Sequence, residues 1–366
     1  MKRLLCIVGG MNAGGAETYL MKLYRALDKT KYQMDFAVAI NGAGYYDDEI
    51  QKMGGKIFHI TPKTQGAWKN FSDIRKLVKN ERYGAVLRVS QHSLSALELL
   101  AAALGGAKVR GYRSSNTRPV STSWIQRTTH PLCKFMPKYF ANKRLAPSTE
   151  AAEFMFGKGC VKKGKATILP NAVDLSIYAY DEQGRAQVRK ELGIVPGAFV
   201  VGHIGRFYEQ KNHAFLIDIF KGVLEKNKNA VLLLVGDGVL KNQIEKKTLE
   251  LGIRDSVIFA GVRSDIPAVL SAMDVFAFPS FYEGMPNTVI EAQATGLPCV
   301  IADTITREAD ITGLVKYLPL SVIDEWTQEV LCREGAPRID TSEMFKRQGY
   351  DIQSSAEKFV QLIFEK

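Results

Sequence analysis

Short apolar runs alternate with helical patterns along nearly the whole of this 366-residue chain. This alternation is typical of a parallel sheet with helices on both faces, the doubly wound α/β fold. The strands predicted in the first half are Arg3–Val8, Met34–Ile40, Lys56–Ile60, Ala85–Val89, Lys108–Tyr112, Arg144–Ala146 and Ala166–Leu169. The series then starts again, and the strands predicted in the second half are Phe199–Ile204, Ala230–Val235, Ser256–Ala260, Val275–Phe278 and Pro298–Ala302. We therefore expect two doubly wound parallel-sheet domains.

The boundary between the two halves is predicted near residues 168–178, where ILPNAVDLSIY is followed by a polar stretch. This gives an N-terminal domain of residues 1–172 and a C-terminal domain of residues 173–350. The last segment, 351–366, has the spacing of one amphipathic helix, which we expect to pack back toward the N-terminal domain. Two similar halves imply a cleft, which is the usual place for a ligand.

Composition indicates a globular protein that works in the cytoplasm. No apolar run approaches the roughly 20 residues that span a bilayer. The N-terminal apolar run is short and ends in glycines, so it is interpreted as a buried strand rather than a signal peptide. The five cysteines are scattered without a C-x-x-C pair, which favours free thiols in a reducing compartment.

Positive charge is concentrated in the first half of the chain. Residues 1–175 contain 28 Lys and Arg against 12 Asp and Glu, a net charge of +16, whereas the remainder has a net charge of −5. Residues 99–149 contain nine basic residues and no acidic one, together with Trp124, Ile125, Leu132, Phe135, Met136, Tyr139 and Phe140. Basic residues mixed with aromatics suit peripheral binding to the anionic inner face of the cell membrane. A basic surface kept for solubility is the alternative, and without a nucleic-acid-binding motif no nucleic-acid partner is expected.

The segment FYEGMPNTVIEA, residues 281–292, says most about function. It follows an apolar run, and proline suits the first turn of a helix, so we predict a strand, a tight turn and a helix that opens near Pro286. A helix that begins at the carboxyl edge of a parallel sheet offers backbone N–H groups to phosphate. Glu283 would lie in the turn and Glu291 one to two turns into the helix, so that one carboxylate can face a sugar and the other a ribose diol. An ordinary helix start with solvated acids is the alternative.

Two further segments could bind phosphate. Gly14 and Gly15 follow the first strand and precede a helix, although a tight turn would need the same glycines and neither a Walker loop nor the G-x-G-x-x-G spacing is present. Arg206 and Lys211 follow the first strand of the second half within one loop. Together they could neutralise a diphosphate leaving group in place of a metal ion, whereas either alone could be a solvated surface charge.

No metal site is predicted, because the five histidines are dispersed and no Asp-x-Asp occurs. His92 follows the strand AVLRV, so it is expected at a sheet edge where it could face the cleft; a structural hydrogen-bonding role is the alternative. No Ser/His/Asp or Cys/His arrangement can be assembled by spacing.

Three segments in order resemble the retaining glycosyltransferases of family 4, which have two Rossmann-like domains in the GT-B arrangement. They are GRFYEQKN at 205–212, LLLVGDG at 232–238 and VIFAGVRSD through LPCVIAD at 257–303. The match is close from about Phe199 to Asp310, NAVD at 171–174 is similar to the hinge segment of the family, and the first domain matches weakly. The segments DTITREADIT and GYDIQSSAEKF resemble the bacterial capsule and exopolysaccharide branch.

The resemblance implies a role for each candidate residue. Arg206 and Lys211 would bind the donor diphosphate, Glu291 would hydrogen-bond the nucleotide ribose, and Glu283 would lie beside the donor sugar. The residues after Glu283 would contact sugar or phosphate through their backbone, namely Gly284, Met285, Pro286, Asn287 and Thr288. Val262 and Arg263 would lie beside the base, while Gly14 and Gly15 would close over the phosphates from the other domain.

The chain departs from the family pattern on the acceptor side. Relatives often carry a His-Ser-His-like segment where this chain has VSQHS. His92 is assigned to that place, with Gln91 as the alternative. Many relatives also have a histidine where Ser114 and Ser115 stand here.

The resemblance therefore implies a retaining, hexosyl-transferring glycosyltransferase. Its donor would be a nucleotide-diphosphate sugar, expected to be UDP-linked, and its acceptor a carbohydrate hydroxyl on a lipid-diphosphate-linked saccharide. No metal or other cofactor would be required. A nucleotide-sugar 2-epimerase, which needs no acceptor, and a non-catalytic nucleotide-sugar-binding protein are the alternatives; a dehydrogenase is disfavoured because its nucleotide-binding fingerprint is absent.

Overall fold

The computed structural model describes residues 1–12, 14–40, 42–114 and 129–365. The chain divides into two compact units, Met1–Ala172 with Gly349–Lys366, and Val173–Gln348. Each unit is built on one parallel sheet with helices on both faces, which confirms the predicted fold class.

The first unit contains a seven-stranded sheet. Its strands are β1 (Lys2–Val8), β2 (Tyr32–Val38), β3 (Ile57–His59), β4 (Ala85–Ser90), β5 (Val109–Ser114), β6 (Lys143–Ala146) and β7 (Thr167–Ile168). In space they follow the order β3-β2-β1-β4-β5-β6-β7, and the pairings are parallel. The direction of winding reverses between β1 and β4, so the loops that leave these two strands are neighbours at the carboxyl edge.

Helices cover both faces of this sheet. The main ones are Gly15–Ala26, Asp47–Lys52, Ala67–Asn80, Leu97–Gly105, Met136–Phe140, Thr149–Phe156 and Ile352–Ile363. Along β1, Leu4, Cys6 and Val8 join one hydrophobic cluster while Leu5 and Ile7 join another. Because successive side chains of a strand point to opposite faces, both faces of the strand are buried, and its sequence is continuously apolar.

The C-terminal helix Ile352–Ile363 belongs to the first unit. It buries Ile352, Phe359 and Ile363 in the cluster that also contains Leu4 of β1. Asp351 caps the helix by accepting a hydrogen bond from the backbone N–H of Ser354 at 3.0 Å. The chain thus returns to its first unit after completing the second.

The second unit contains a six-stranded sheet. Its strands are β8 (Phe199–Ile204), β9 (Ala230–Val235), β10 (Val257–Phe259), β11 (Val275–Phe278), β12 (Cys299–Ala302) and β13 (Val315–Leu318), in the spatial order β10-β9-β8-β11-β12-β13 with parallel pairings. Its helices are Leu175–Tyr178, Glu182–Glu191, His213–Lys226, Lys241–Glu250, Ile266–Ala272, Asn287–Ala294, Ile323–Leu331 and Ser342–Gln348. The winding reverses between β8 and β11, which brings together the loops after these two strands.

Twelve of the thirteen strands match runs predicted from the sequence, and β13 was missed. The reason is that β13 is an edge strand in which only Leu318 is buried, so Val315 and Tyr317 alternate with the exposed Lys316 instead of forming a continuous apolar run. Among the described residues, no helix is both long and apolar enough to cross a membrane.

Candidate active site

The loops after β8 and β11 are joined at the carboxyl edge of the second sheet. The backbone N–H of Phe281 donates to the carbonyl of Gln210 at 2.9 Å, and the Gln210 side chain donates to the carbonyl of Tyr282 at 2.9 Å. Gln210 therefore links the two loops through both its backbone carbonyl and its side chain. Gln210 was not among the site residues predicted from the sequence, although its place beside Lys211 was a usable signal.

Lys211 and Glu283 form the central contact between these loops. Lys211 Nζ lies 2.7 Å from Glu283 Oε1, and Gln210 Nε2 donates to the same oxygen at 3.2 Å. The two side chains are only 17% and 12% exposed. Lys211 Nζ also lies 4.5 Å from the centre of the Phe278 ring. In this partly desolvated position, loss of either partner would leave an uncompensated charge.

Arg206 lies on the same loop but is exposed. Its guanidinium carbon lies 5.0 Å from the centre of the Tyr208 ring, a cation–π distance. Within the described residues it forms no ion pair, so its charge is available to a ligand. The structure places the two predicted cations in one loop, and their shared role on a diphosphate stays a prediction.

The helix Asn287–Ala294 begins directly after this loop. Pro286 is its N-cap residue and offers no side-chain hydrogen bond, and the first helical bonds include Val289 N–H to the Pro286 carbonyl at 3.1 Å. The opening N–H groups of a helix lack intrahelical acceptors and favour an anion. Gly284, Met285 and Thr288 are partly buried around this terminus. The predicted strand, turn and helix opening near Pro286 are confirmed.

Glu291 lies one turn into this helix and hydrogen-bonds the hydroxyl of Tyr178. Burial, and then the Glu291 carboxylate, raise the pKa of Tyr178 above its ordinary value. Tyr178 ends the short helix Leu175–Tyr178 and packs against the core of the second unit. The phenol thus orients a carboxylate that was predicted to bind ribose, a contact that sequence spacing did not suggest.

The Arg263 side chain is held by two protein carboxylates. Its Nε donates to Asp265 Oδ1 at 2.8 Å and its Nη1 donates to Glu191 Oε1 at 2.6 Å. These hydrogen bonds, first to Asp265 and then to Glu191, raise the pKa of Arg263. The Arg263 guanidinium is therefore already occupied by these two carboxylates. Val262 and Arg263 were both predicted to lie beside the base, and Val262, which is 80% exposed, offers side-chain surface for that contact.

Two buried histidines lie beneath the loop that carries Lys211. His203 Nδ1 lies 2.8 Å from the carbonyl oxygen of Ala277, and its ring centre is 4.7 Å from that of His213. The His213 ring stacks on Phe207 at 4.2 Å. Burial lowers the pKa of both imidazoles, that of His213 to about 4, so both are neutral at pH 7. The two neutral rings thus form an uncharged buried layer next to the loop that carries Lys211.

The pKa of His213 predicts a stability that falls on acidification. The unfolded chain takes up a proton near the ordinary pKa of 6.5, whereas the folded protein does so only near 4, so stability is lost as the pH falls between these values. Between pH 7 and pH 5, we expect the free energy of unfolding of His213→Phe to fall by about 2 kcal/mol less than that of the wild type. The measurement is the thermal unfolding midpoint at both pH values, with exposed His59→Phe as the control; an unchanged pH dependence in His213→Phe would contradict the assignment.

In the first unit, Gly14 is the N-cap residue of helix Gly15–Ala26 and provides no side-chain cap. A side chain at position 14 would collide with the carboxylate of Glu17. Burial raises the pKa of Glu17, while a hydrogen bond from its own backbone N–H and the charge of Arg88 oppose the shift. The carboxyl group of Glu17 thus lies at this helix N-terminus, where a negative charge is favoured, and the phosphate role of Gly14 and Gly15 stays a prediction.

His92 follows β4 and is partly buried at the carboxyl edge of the first sheet. Its Nδ1 accepts from the backbone N–H of Leu94 at 3.2 Å, and its Nε2 lies 3.3 Å from Thr129 Oγ1. Because Nδ1 is an acceptor, the neutral ring carries its proton on Nε2. Gln91 is exposed, and Ser114 is buried at the end of β5. Ser115 and, within the basic stretch 99–149, Trp124, Ile125 and Arg127 lie outside the described residues.

In the parts of the chain that the structure describes, no cluster of three or more His, Cys, Asp or Glu side chains is arranged to hold a metal ion. Each of the five cysteines is a free thiol.

Comparison with known proteins gives matches over both units. Residues 13–177 match the family described as Glycosyltransferase Family 4, and residues 198–330 match that described as Glycosyl transferases group 1. EpsF of Bacillus subtilis, a proposed glycosyltransferase, is 34% identical over 361 residues, which cover 97% of this chain and 94% of EpsF. The UDP-Gal:alpha-D-GlcNAc-diphosphoundecaprenol alpha-1,3-galactosyltransferase of Escherichia coli is 28% identical over 243 residues, 64% of this chain and 62% of that protein.

Solved structures agree on the fold. Anabaena Alr3699/HepE in complex with UDP and glucose has a TM-score of 0.77 at 17% identity, with 99% of each chain covered. A glycosyltransferase from Rickettsia africae has a TM-score of 0.80 at 13% identity, with 98% of this chain and 97% of that chain covered. With its two parallel-sheet units, the chain has the GT-B fold, belongs to the family 4 glycosyltransferases and is a glycosyltransferase.

Proposed function

We propose that this glycosyltransferase transfers a hexosyl group, with retention at the anomeric carbon, from a UDP-sugar to a hydroxyl of a lipid-diphosphate-linked saccharide in polysaccharide biosynthesis. The observation that carries the proposal is the Lys211–Glu283 pair, 2.7 Å apart, in front of the helix Asn287–Ala294. A cation, a carboxylate and a helix N-terminus at one sheet edge suit a diphosphate joined to a sugar.

The proposed chemistry depends on stabilising the leaving diphosphate. Negative charge grows on the diphosphate as its bond to the sugar breaks, and Lys211, Arg206 and the opening N–H groups of the helix would stabilise that charge. Glu283 positions Lys211 and would lie beside the donor sugar. Glu291, held by Tyr178, would bind the ribose. Because these groups supply positive charge themselves, we propose that no metal ion is required.

Two relatives support the choice of donor and acceptor. The Anabaena protein is described in complex with UDP and glucose, and the Escherichia coli relative is named for UDP-Gal and for a diphosphoundecaprenol-linked sugar. Two other relatives are named for capsular polysaccharide biosynthesis. We extend these chemistries to the present chain as proposals.

The test is a calorimetric titration of the protein with UDP, GDP and ADP, each with and without EDTA. We expect UDP to bind with a micromolar dissociation constant that EDTA does not change. Binding of GDP or ADP in preference to UDP would overturn the UDP assignment, and loss of binding in EDTA would overturn metal independence. If no nucleotide bound, the donor site itself would be wrong.

We further propose that the first unit docks on the anionic inner face of the cell membrane. Leu132, Phe135 and Tyr139 are strongly exposed on and before the helix Met136–Phe140, where apolar residues are normally covered. Lys134 and Lys138 lie among them in the sequence. Exposed aromatics flanked by cations suit the interface between lipid headgroups and acyl chains.

Reversing charge at Lys134 and Lys138 to glutamate is expected to weaken binding to anionic liposomes more than about tenfold in a flotation assay, because each lysine near an anionic bilayer contributes about 1 kcal/mol. The control is the same reversal at Lys76 and Lys79, which are exposed on helix Ala67–Asn80 of the same unit. Equal flotation of the two variants would show that only net charge matters and would favour the solubility interpretation.

A further inference from the structure

A cavity of about 420 Å³ lies in the first unit, where helix Thr149–Phe156 ends and β6 and β7 begin. Its walls are Lys138, Arg144, Phe156, Gly157, Lys158, Cys160, Lys163 and Lys165. Because the strands of this sheet are parallel, this is their amino edge, opposite the carboxyl edge that carries His92. The cavity is therefore separate from the candidate active site described above.

The cavity is strongly positive. Five of its eight lining residues are Lys or Arg and none is acidic. Within the described part of the chain, none of these five cations forms an ion pair with a carboxylate. The nearby Glu153 carboxylate accepts a hydrogen bond from the backbone N–H of Gly159 at 2.8 Å. Five cations thus line this cavity, and none of them is paired with a carboxylate of the described residues.

A helix C-terminus alone does not account for this charge. The last turn of a helix carries roughly half a negative charge, which one nearby cation satisfies. Lys138 is placed to do so, because its ammonium lies 3.4 Å from where a Cβ would stand if Gly157, the residue that ends helix Thr149–Phe156, carried one. Four cations remain in excess around the same space.

The walls of the cavity are ordered by the backbone. Gly157 has a φ of +94°, which favours glycine, and turns the chain away from the helix. The N–H of Lys163 donates to the Gly159 carbonyl at 3.0 Å, and the N–H of Lys165 donates to the Cys160 carbonyl at 2.8 Å. Arg144 ties the opposite wall by donating to the carbonyl of Lys138 at 2.6 Å. These hydrogen bonds order the backbone from which the exposed lysines project, which lowers the entropy lost when an anion binds.

We propose that this cavity is a second anion site that binds a phosphate or diphosphate group. Lysine ammonium groups bind phosphate as point charges, and the volume exceeds that of one phosphate, leaving space for a diphosphate or a phosphorylated headgroup. This goes beyond glycosyl transfer and requires neither the UDP donor nor the residues of the second unit. The phosphate can belong to a lipid headgroup or to a soluble compound.

The test compares two triple variants of the full chain. Lys158, Lys163 and Lys165 are changed to glutamine in one, and Lys69, Lys76 and Lys79 of helix Ala67–Asn80 in the control, so both lose three charges from the same unit. Pyrophosphate is titrated by calorimetry with saturating UDP present to occupy the donor site. We expect pyrophosphate to bind the wild type and the control alike and to bind the cavity variant at least about tenfold more weakly.

The source of the phosphate is distinguished with vesicles of phosphatidylglycerol and of phosphatidylcholine. If a lipid headgroup occupies the cavity, the cavity variant floats less with phosphatidylglycerol than the control does, and pyrophosphate releases the wild type. If a soluble phosphate compound occupies the cavity instead, the two variants float equally with phosphatidylglycerol, and only the cavity variant loses pyrophosphate binding. Identical behaviour of the two variants in both assays would overturn the proposal. UDP titration of the same samples keeps this outcome separate from any failure of the donor site.

Discussion

Replacing Glu283 with glutamine is expected to lower the rate of sugar transfer by about 100-fold or more while leaving UDP affinity nearly unchanged. Glutamine keeps the size and one acceptor oxygen but loses the charge that fixes Lys211 Nζ at 2.7 Å. Lys211 would still reach a diphosphate, so the nucleotide would still bind. The sugar would lose both its neighbouring carboxylate and the fixed orientation of the lysine. Steady-state kinetics and UDP calorimetry measure the two effects separately.

Glu209→Gln is the matched control for this variant. Glu209 precedes Gln210 in the same loop and is exposed, and it makes no ion pair within the described residues. The control should keep wild-type turnover. Wild-type turnover in Glu283→Gln would remove Glu283 from the chemistry, and equal loss of turnover in both variants would mean that the loop tolerates no change of charge.

The fold could be predicted because its strands carry unambiguous signals. AVLLLV of β9 is apolar at every position, and it is buried on both faces since helices cover the sheet. The spacing between such runs also indicated the helices, as in residues 212–227, where the structure has His213–Lys226. VKYL of β13 lacked this signal because it lies at the edge of the sheet, where one polar side chain is tolerated.

The contacts of the site could be predicted only in part. Lys211 and Glu283 were each identified because each follows a strand, but they are 72 residues apart, and their pairing depends on β8 lying beside β11. Strand order is a property of the whole sheet and cannot be read from one segment. The same limit applies to Tyr178 beside Glu291 and to Glu191 on Arg263. The local sequence therefore predicted where the loops lie, whereas the contacts between them depend on the strand order of the whole sheet.

Removing both proposed diphosphate cations, in Arg206→Ala with Lys211→Ala, is expected to weaken UDP binding by more than about 100-fold. The two single variants should differ. Arg206 is exposed and lies over the Tyr208 ring, so its loss removes one attraction for the diphosphate. Loss of Lys211 also leaves Glu283, 12% exposed, without its cation and facing the incoming diphosphate. Lys211→Ala should therefore be the more damaging single change, and Lys226→Ala with Lys228→Ala is the control for loss of two charges.

Repulsion between Glu283 and the diphosphate would also allow a partial rescue, which loss of charge alone would not. If the unpaired Glu283 carboxylate repels the diphosphate, then Glu283→Gln added to Lys211→Ala should restore UDP affinity several-fold, although it removes a second polar contact. The coupling energy from this double-mutant cycle measures the interaction between the two side chains. Additive losses in calorimetry would mean that Glu283 does not face the diphosphate, and unchanged UDP affinity in the Arg206 and Lys211 variants would place the nucleotide elsewhere on the protein.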